Sequence, residues 1–310
     1  MTEQELNENG IQVAGPLPQR VPIITYPKFD ETSNSLLKRH LSRDIWSGMK
    51  KKSTSKGGNI QMCVKSGVQM PETDIGIMAT DEEAYKTFSD LFGPICKDLH
   101  PRFDFRYSYK FDEVKLARFT DKLDEIDEVA ERMENLQISM RRNFRGMPFS
   151  PLMTREAKLQ IERRVVEVLG ELCGQYHQVS RIEESTKNWL NEIGVSVERT
   201  ALHDAAGIND DFPVGRGVFI EDTHEFIVLV NFEDHIQIVM LPGTGVKHNV
   251  KNAFTRLIKL THTFERMGFA TDAYLGFLTV SPAHLGTAME FKGSIAIDTT
   301  NKSEDKLSLI

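Results

Sequence analysis

The stretch GVFIEDTHEFIVLVNFEDHIQIVML, residues 217–241, constrains the architecture more than any other part of the chain. It reads as three strand runs: GVFI (217–220), FIVLVN (226–231) and HIQIVML (235–241). The turn between the first two, EDTH, has the length of a hairpin. Phe226 to Val230 contains no polar residue. A half-solvated strand would alternate apolar with polar, so this run predicts a central strand covered on both faces.

Helical segments supply the cover. TREAKLQIERRVVEVLGEL places Leu159, Ile161, Val165, Val166, Val168, Leu169 and Leu172 on an amphipathic helix. NAFTRLIKLTHTFERM puts Phe254, Leu257, Ile258, Thr261 and Phe264 on one side. LGFLTV and SIAI read as later strands. Long helices beside mixed adjacent strands predict an α+β fold, with helices packed on a mainly antiparallel sheet. Upstream, TDEEAYKTFSDLF reads as a helix capped by Thr80 or Asp81, with Ala84, Tyr85, Phe88, Leu91 and Phe92 on its apolar face.

Composition shifts divide the 310 residues into four parts. Residues 1–28 form an extended tail, in which GPLPQRVPIITYP carries four prolines. Residues 29–110 read as mostly helical, 111–136 as a charged connector, and 137–310 as the mixed domain. The net charge of −7 argues against broad nucleic-acid binding, which needs a basic face. No apolar run approaches the ~18–20 residues of a membrane span. The three cysteines, Cys63, Cys96 and Cys173, are far apart and form no CxxC, so no zinc or other metal site is expected. They read as reduced thiols of a cytoplasmic protein, and the polar, acidic N-terminus is unlike a targeting signal.

Glu233 and Asp234 stand side by side at a strand end, an arrangement that reads as chemistry on an anion or a base. The strand that follows offers Gln237 rather than a positive charge.

SGV (66–68), IGIMATDEEAYKTFSDLFGPICKDLH (75–100), GMPFSPLMTREAK (146–158), PVGRGVFIEDTHEFIVLVNFEDH (213–235) and LGFLTVSPAHLGT (275–287) occur in one order. In that order and spacing they resemble the phosphagen kinases, above all arginine kinase and creatine kinase. The resemblance covers about residues 30 to 297 and implies a guanidino kinase (glutamine synthetase-like) fold: a small helical N-terminal domain, then a larger antiparallel sheet flanked by helices. It implies phosphoryl transfer between Mg-ATP and a guanidino nitrogen, with arginines caging the triphosphate and carboxylates orienting the guanidinium.

Carried over position by position, the resemblance puts Glu233 on the family's catalytic carboxylate and Phe232 on its acidic neighbour. Gln237 and Glu290 stand on phosphate-binding arginines, the second with its sign reversed. Ser294 replaces a histidine that helps seat the adenine, Ser281 the reactive cysteine, and His284 an asparagine. Without a gap, Gln137 and Ser139 fall on the first arginine pair and Arg142 on a structural arginine; a gap would bring Arg141 or Arg142 into the site. Ser66, Gly67 and Val68 match a loop against the guanidino substrate. In the family a mobile closing loop follows the strand matched by 293–297; before Ile310 only DTTNK (298–302) echoes that part, so the lid is expected to be absent.

Removing one preorganised donor from a charge-stabilising site costs ~10²–10³ in rate. Several such losses predict a pseudoenzyme, with Glu233–Asp234–His235 kept for tying the strand turn together and no cofactor bound. Partner binding is then the expected role, with tail 1–28 as a contact arm in a stable, cytoskeletal or axonemal assembly. The alternatives are a working guanidino kinase using Mg-ATP, its cage rebuilt from Arg141, Arg142, Arg145 or Lys292, or a regulatory subunit that holds a guanidino ligand without transfer. Bland readings stand beside these: a turn for GTG (243–245), a surface or salt-bridged role or an acidic partner's contact for RRNFRG (141–146), and a solvated loop for KKK (50–52).

Overall fold

In a computed structural model of the chain, residues 25–104, 108, 133–241 and 250–295 are described. Most of the tail, most of the connector, GTG and DTTNK lie outside them.

The N-terminal part is helical, as expected. Helices α1 (Leu36–His40), α2 (Arg43–Met49) and α3 (Ile60–Gln69) start at Ser35, Ser42 and Asn59. Each cap side chain accepts a backbone N–H that the first turn would otherwise leave unpaired. TDEEAYKTFSDLF is two helices rather than one: α4 (Ala84–Thr87) and α5 (Ser89–Leu99) meet at Phe88, whose backbone leaves the helical region. The predicted apolar face survives this break, because Ala84, Tyr85, Phe88, Leu91 and Phe92 are all buried. The cap position itself is Glu83, and Asp81 holds the turn before it: its Oδ1 accepts from the N–H groups of Glu83 (2.9 Å) and Ala84 (3.1 Å).

The second part is a six-stranded sheet. Its strands are β1 (Met133–Arg142), β2 (Gly174–Gln178), β3 (Gly217–Glu221), β4 (Phe226–Val230), β5 (Ile236–Met240) and β8 (Met289–Ile295). Their order is β2-β3-β4-β5-β1-β8, with every neighbouring pair antiparallel. Two short strands, β6 (Thr271–Asp272) and β7 (Gly276–Phe277), form a separate pair. Helices α6 (Arg155–Leu169), α7 (Glu184–Glu192), α8 (Ala201–Ala206) and α9 (Val250–Thr263) complete the described elements.

Three expectations need correction. Strand β1 starts at Met133, so residues 133–136 belong to the sheet and not to the charged connector. LGFLTV pairs only at Gly276–Phe277; Leu278 and Val280 enter a core shared with the N-terminal helices. SGV is no loop, since Ser66, Gly67 and Val68 form part of helix α3.

Strand β4 is buried along its whole length, as its composition predicts. On one face, Ile138 and Met140 of β1, Val228 and Val230 of β4 and Ile236 and Ile238 of β5 pack against α6 and α9. On the other, Ile227, Leu229 and Val239 meet Leu190, Val195 and Val197 in and just beyond α7. This second cover leaves part of β5, β1 and β8 open. The two parts of the chain are joined by Ala79 N–H to Val280 O (2.7 Å), Phe149 N–H to Thr80 O (2.8 Å) and the Tyr85 hydroxyl to Thr279 O (2.7 Å).

Candidate functional site

A strand alternates its side chains between faces, so residues two apart share one. Gln137, Ser139 and Arg141 of β1 therefore line the open face together with Gln237 of β5 and Glu290 and Lys292 of β8. The register sets Arg141 opposite Gln237, Ser139 opposite Glu290 and Gln137 opposite Lys292. With residues 194–196 as a wall they enclose a cleft of about 280 Å³. That lies below the ~300–1,000 Å³ usual for ligand pockets.

The structure answers which arginine of RRNFRG reaches the site. Arg141 Nη1 donates to Gln237 Oε1 (2.9 Å), and Nη2 pairs with Glu290 Oε2 (3.4 Å). Arg142 projects to the opposite face, where its guanidinium lies 3.5 Å from the centre of the Phe277 ring and donates to Arg141 O and Thr287 O. It is buried there and holds backbone carbonyls rather than facing the cleft. Gln137 turns its amide onto Ile193 O. Gln237 Nε2 reaches Ser139 Oγ at 3.4 Å. Ser294 stands opposite Glu134 in the register.

Glu233 sits in the β4–β5 turn beside this cleft. His203 Nε2 of α8 lies 3.5 Å from Glu233 Oε2, while Oε1 is buried without a hydrogen-bond partner. Burial alone would raise this carboxyl. The contact from His203 and the positive charge of Arg141 overcome that, and Glu233 is held below the usual carboxylate range. Asp234 moves the other way, pushed up by burial and by the neighbouring Glu233 charge.

Asp234 and His235, rather than Glu233, tie the turn together. Asp234 Oδ1 accepts from Asn143 Nδ2 (2.6 Å) and Val280 N–H (2.8 Å). His235 N–H donates to Asn143 Oδ1 (3.0 Å). Its ring accepts from Phe144 N–H at Nδ1 (2.9 Å) and meets Pro148 O at Nε2 (2.9 Å). An acceptor role at Nδ1 and a donor role at Nε2 require the neutral tautomer. Asn231, at φ 58°, donates to Lys158 O and Gly215 O, and so holds the start of the turn.

A pH dependence follows. Burial depresses His235 from 6.5 to about 4. A depressed folded value stabilises the fold above the unfolded value, and that contribution is lost as pH falls through the folded one. Between pH 6.5 and about 4 the His235 contribution should therefore decline, by about 3 kcal/mol in all. Asp234 titrates with the opposite sign over part of this window, so the comparison must be between variants. Urea unfolding at a series of pH values should show a smaller loss on acidification for His235→Gln than for the wild type.

The remaining predicted positions are dispersed. Ser66 is buried in α3 with an unpartnered Oγ, and α3 packs against α8. Gly67 is held by packing: a Cβ there would fall 2.5 Å from the Gly76 backbone. Ser281 Oγ accepts from Ala283 N–H (3.4 Å) and caps a short turn. His284 faces Arg141, Glu233 and Glu290, and burial lowers it. Lys50, Lys51 and Lys52 are exposed, in keeping with a solvated loop. Among the described residues no group of three or more metal-ligating side chains occurs, and no helix is long and apolar enough to cross a membrane.

Comparison with known proteins identifies the fold and the lineage. Residues 31–97 match the ATP:guanido phosphotransferase N-terminal domain, and residues 159–307 its C-terminal catalytic domain. Arginine kinase of Polybetes pythagoricus is 30% identical over 284 residues, covering 89% of this chain and 77% of the relative. Arginine kinase of Limulus polyphemus is 30% identical over 289 residues, covering 91% and 79%. Lombricine kinase superposes with a TM-score of 0.74 at 22% identity, over 89% of this chain and 77% of that one. The duplicated taurocyamine kinase from Schistosoma mansoni gives 0.72 at 24% identity, over 86% of this chain and 38% of that one. Those two superpositions speak for the fold, and the arginine kinase relatives for the lineage: the chain belongs to the ATP:guanido phosphotransferase, or phosphagen kinase, family.

Proposed function

We propose that this chain keeps the phosphagen kinase fold but has lost, or nearly lost, ATP:guanidino phosphoryl transfer. The observation that carries the reading is the lining of the cleft. Gln137, Ser139, Gln237 and Glu290 occupy the face where the resemblance implies a cage of arginines. Arg141 and Lys292 are the cations there, and Arg141 is already engaged by Gln237 and Glu290. Phosphoryl transfer is catalysed almost entirely by positioning and by neutralising charge. An acid at Glu290 repels a polyanion in a partly desolvated cleft. The residues present therefore do not fit a magnesium-bound triphosphate. A coupled assay with Mg-ATP and arginine or creatine should give turnover at least ~10⁵-fold below the ~1–100 s⁻¹ of ordinary kinases. Turnover above ~1 s⁻¹ contradicts the reading.

Residual phosphotransfer is the second reading. Its support is that Arg141 and Lys292 both line the cleft, that the charge of Arg141 acts on Glu233, and that the relatives reported above are named arginine kinases. The same assay decides between the two.

With catalysis lost, the role is protein binding. The tail 1–28 is the proposed contact arm, in a stable and cytoskeletal or ciliary assembly, because a proline-bearing extended segment gains order only on a partner surface. Deleting residues 1–28 should release the chain from its co-purifying partner; retention of the complex removes the arm.

A further inference from the structure

His203 has no counterpart in the motifs that carry the resemblance, yet it makes the closest polar contact to Glu233. Helix α8 starts at Thr200, whose Oγ1 accepts the His203 N–H (3.2 Å), and ends at Gly207 in the left-handed conformation. This short helix packs on α3 and aims the imidazole at the β4–β5 turn. His203 Nε2 lies 3.5 Å from Glu233 Oε2, with side chains only 18% and 16% exposed. The other oxygen, Oε1, is buried and unpartnered. The remaining charged or titratable groups facing Glu233 are Arg141, His284 and the adjacent Asp234, and its apolar neighbour is Phe232.

A guanidinium binds a carboxylate best through two parallel N–H···O bonds, one to each oxygen. Here one oxygen faces the imidazole at 3.5 Å, and the positive charge of Arg141, whose own contacts are Gln237 and Glu290, already acts on the same acid. An imidazole ring is slightly larger than a guanidinium plane. A second cation cannot reach both oxygens while the ring is in place.

We propose that His203 is a specificity-determining residue: it occupies the cation seat of Glu233 from inside the protein and so excludes guanidino ligands. The inference rests on the reading of Glu233 as the acid that faces a guanidinium, and it adds the residue that closes that seat. Removing the ring should open a place for a small guanidinium against Glu233.

The test is isothermal titration of the full chain with methylguanidinium at constant ionic strength. His203→Ala should bind it at least ~10-fold more tightly than the wild type. The double variant His203→Ala/Glu233→Gln should lose that gain. His203→Asn, which is shorter but keeps the helix polar there, should show part of the gain and decides the matter if the alanine variant does not fold. Equal affinity in the wild type and the single variants, or a gain that survives loss of the Glu233 charge, overturns the assignment. Mg-ATP is titrated separately: tight nucleotide binding by the wild type contradicts the lost cage, while the methylguanidinium result still decides the role of His203.

Discussion

Glu290→Arg is expected to bind Mg-ATP ~100-fold more tightly than the wild-type chain. The substitution changes the charge at one point of the cleft by two units. It also removes the acid that now holds Arg141 Nη2 at 3.4 Å, so that guanidinium becomes available to a ligand. A unit charge pair at ~4 Å is worth ~4 kcal/mol at the effective dielectric of a protein surface. The Glu290 side chain is 43% exposed, so solvent screening must be discounted heavily. About 3 kcal/mol remains for the two-unit change, or ~100-fold. Glu290→Gln removes the repulsion without adding a donor, and about tenfold is expected of it. Isothermal titration of both variants checks the order. If neither differs from the wild type, charge in this cleft is not what limits nucleotide binding. Gln237→Arg is a poorer restoration, because the β1–β5 register sets residue 237 directly opposite Arg141 and would crowd two guanidinium groups.

Asp234→Ala should destabilise the fold by about 3–5 kcal/mol, measured by urea unfolding at neutral pH. Asp234 joins three segments that are distant in sequence: Asn143 after β1, the β4–β5 turn, and Val280 in the run that docks on the N-terminal helices. Removing its carboxylate leaves the Val280 N–H without its partner and the Asn143 amide with only its bond to Leu278 O, in a buried place, at about 1–3 kcal/mol for each lost bond. Glu233→Ala should cost far less, because Glu233 holds no backbone group and contacts only the His203 side chain directly. A ranking in which Glu233 mattered more for stability than Asp234 would mean that the acid pair has been assigned the wrong way round.

Much of this architecture could be read in the residues, and the parts that could not have identifiable causes. The unbroken apolar run of β4 and the helical spacing of α6 and α9 leave one arrangement for each, and each is found. Strand β2, GQYHQ, lies at the sheet edge, polar and without strict alternation, and nothing in its pattern separates it from a loop. The start of β1 was hidden because residues 133–136 continue a charge-dense segment. SGV looks like a loop because of its glycine, but Gly67 is small so that α3 can approach Gly76.

The same holds for the site. Gln137, Ser139, Gln237, Glu290 and Glu233 could be named from aligned motifs, and all but Glu233 line the cleft itself, with Glu233 at its side. Choosing between Arg141 and Arg142 needed the strand's two-residue period: once Gln137 and Ser139 share a face, Arg141 follows onto it. His203 left no signal in the sequence. A single histidine on a short helix is ordinarily a surface group, and only the folding of α8 against α3 carries it to Glu233.

The proposed loss of charge neutralisation in the cleft is tested most directly by titrating Mg-ATP into the wild-type chain. The account predicts no heat attributable to specific binding at nucleotide concentrations up to ~1 mM, the upper range of ordinary enzyme KM values. Saturable binding in the micromolar range, weakened by Arg141→Gln or Lys292→Gln, would show that these two cations have rebuilt a working phosphate site.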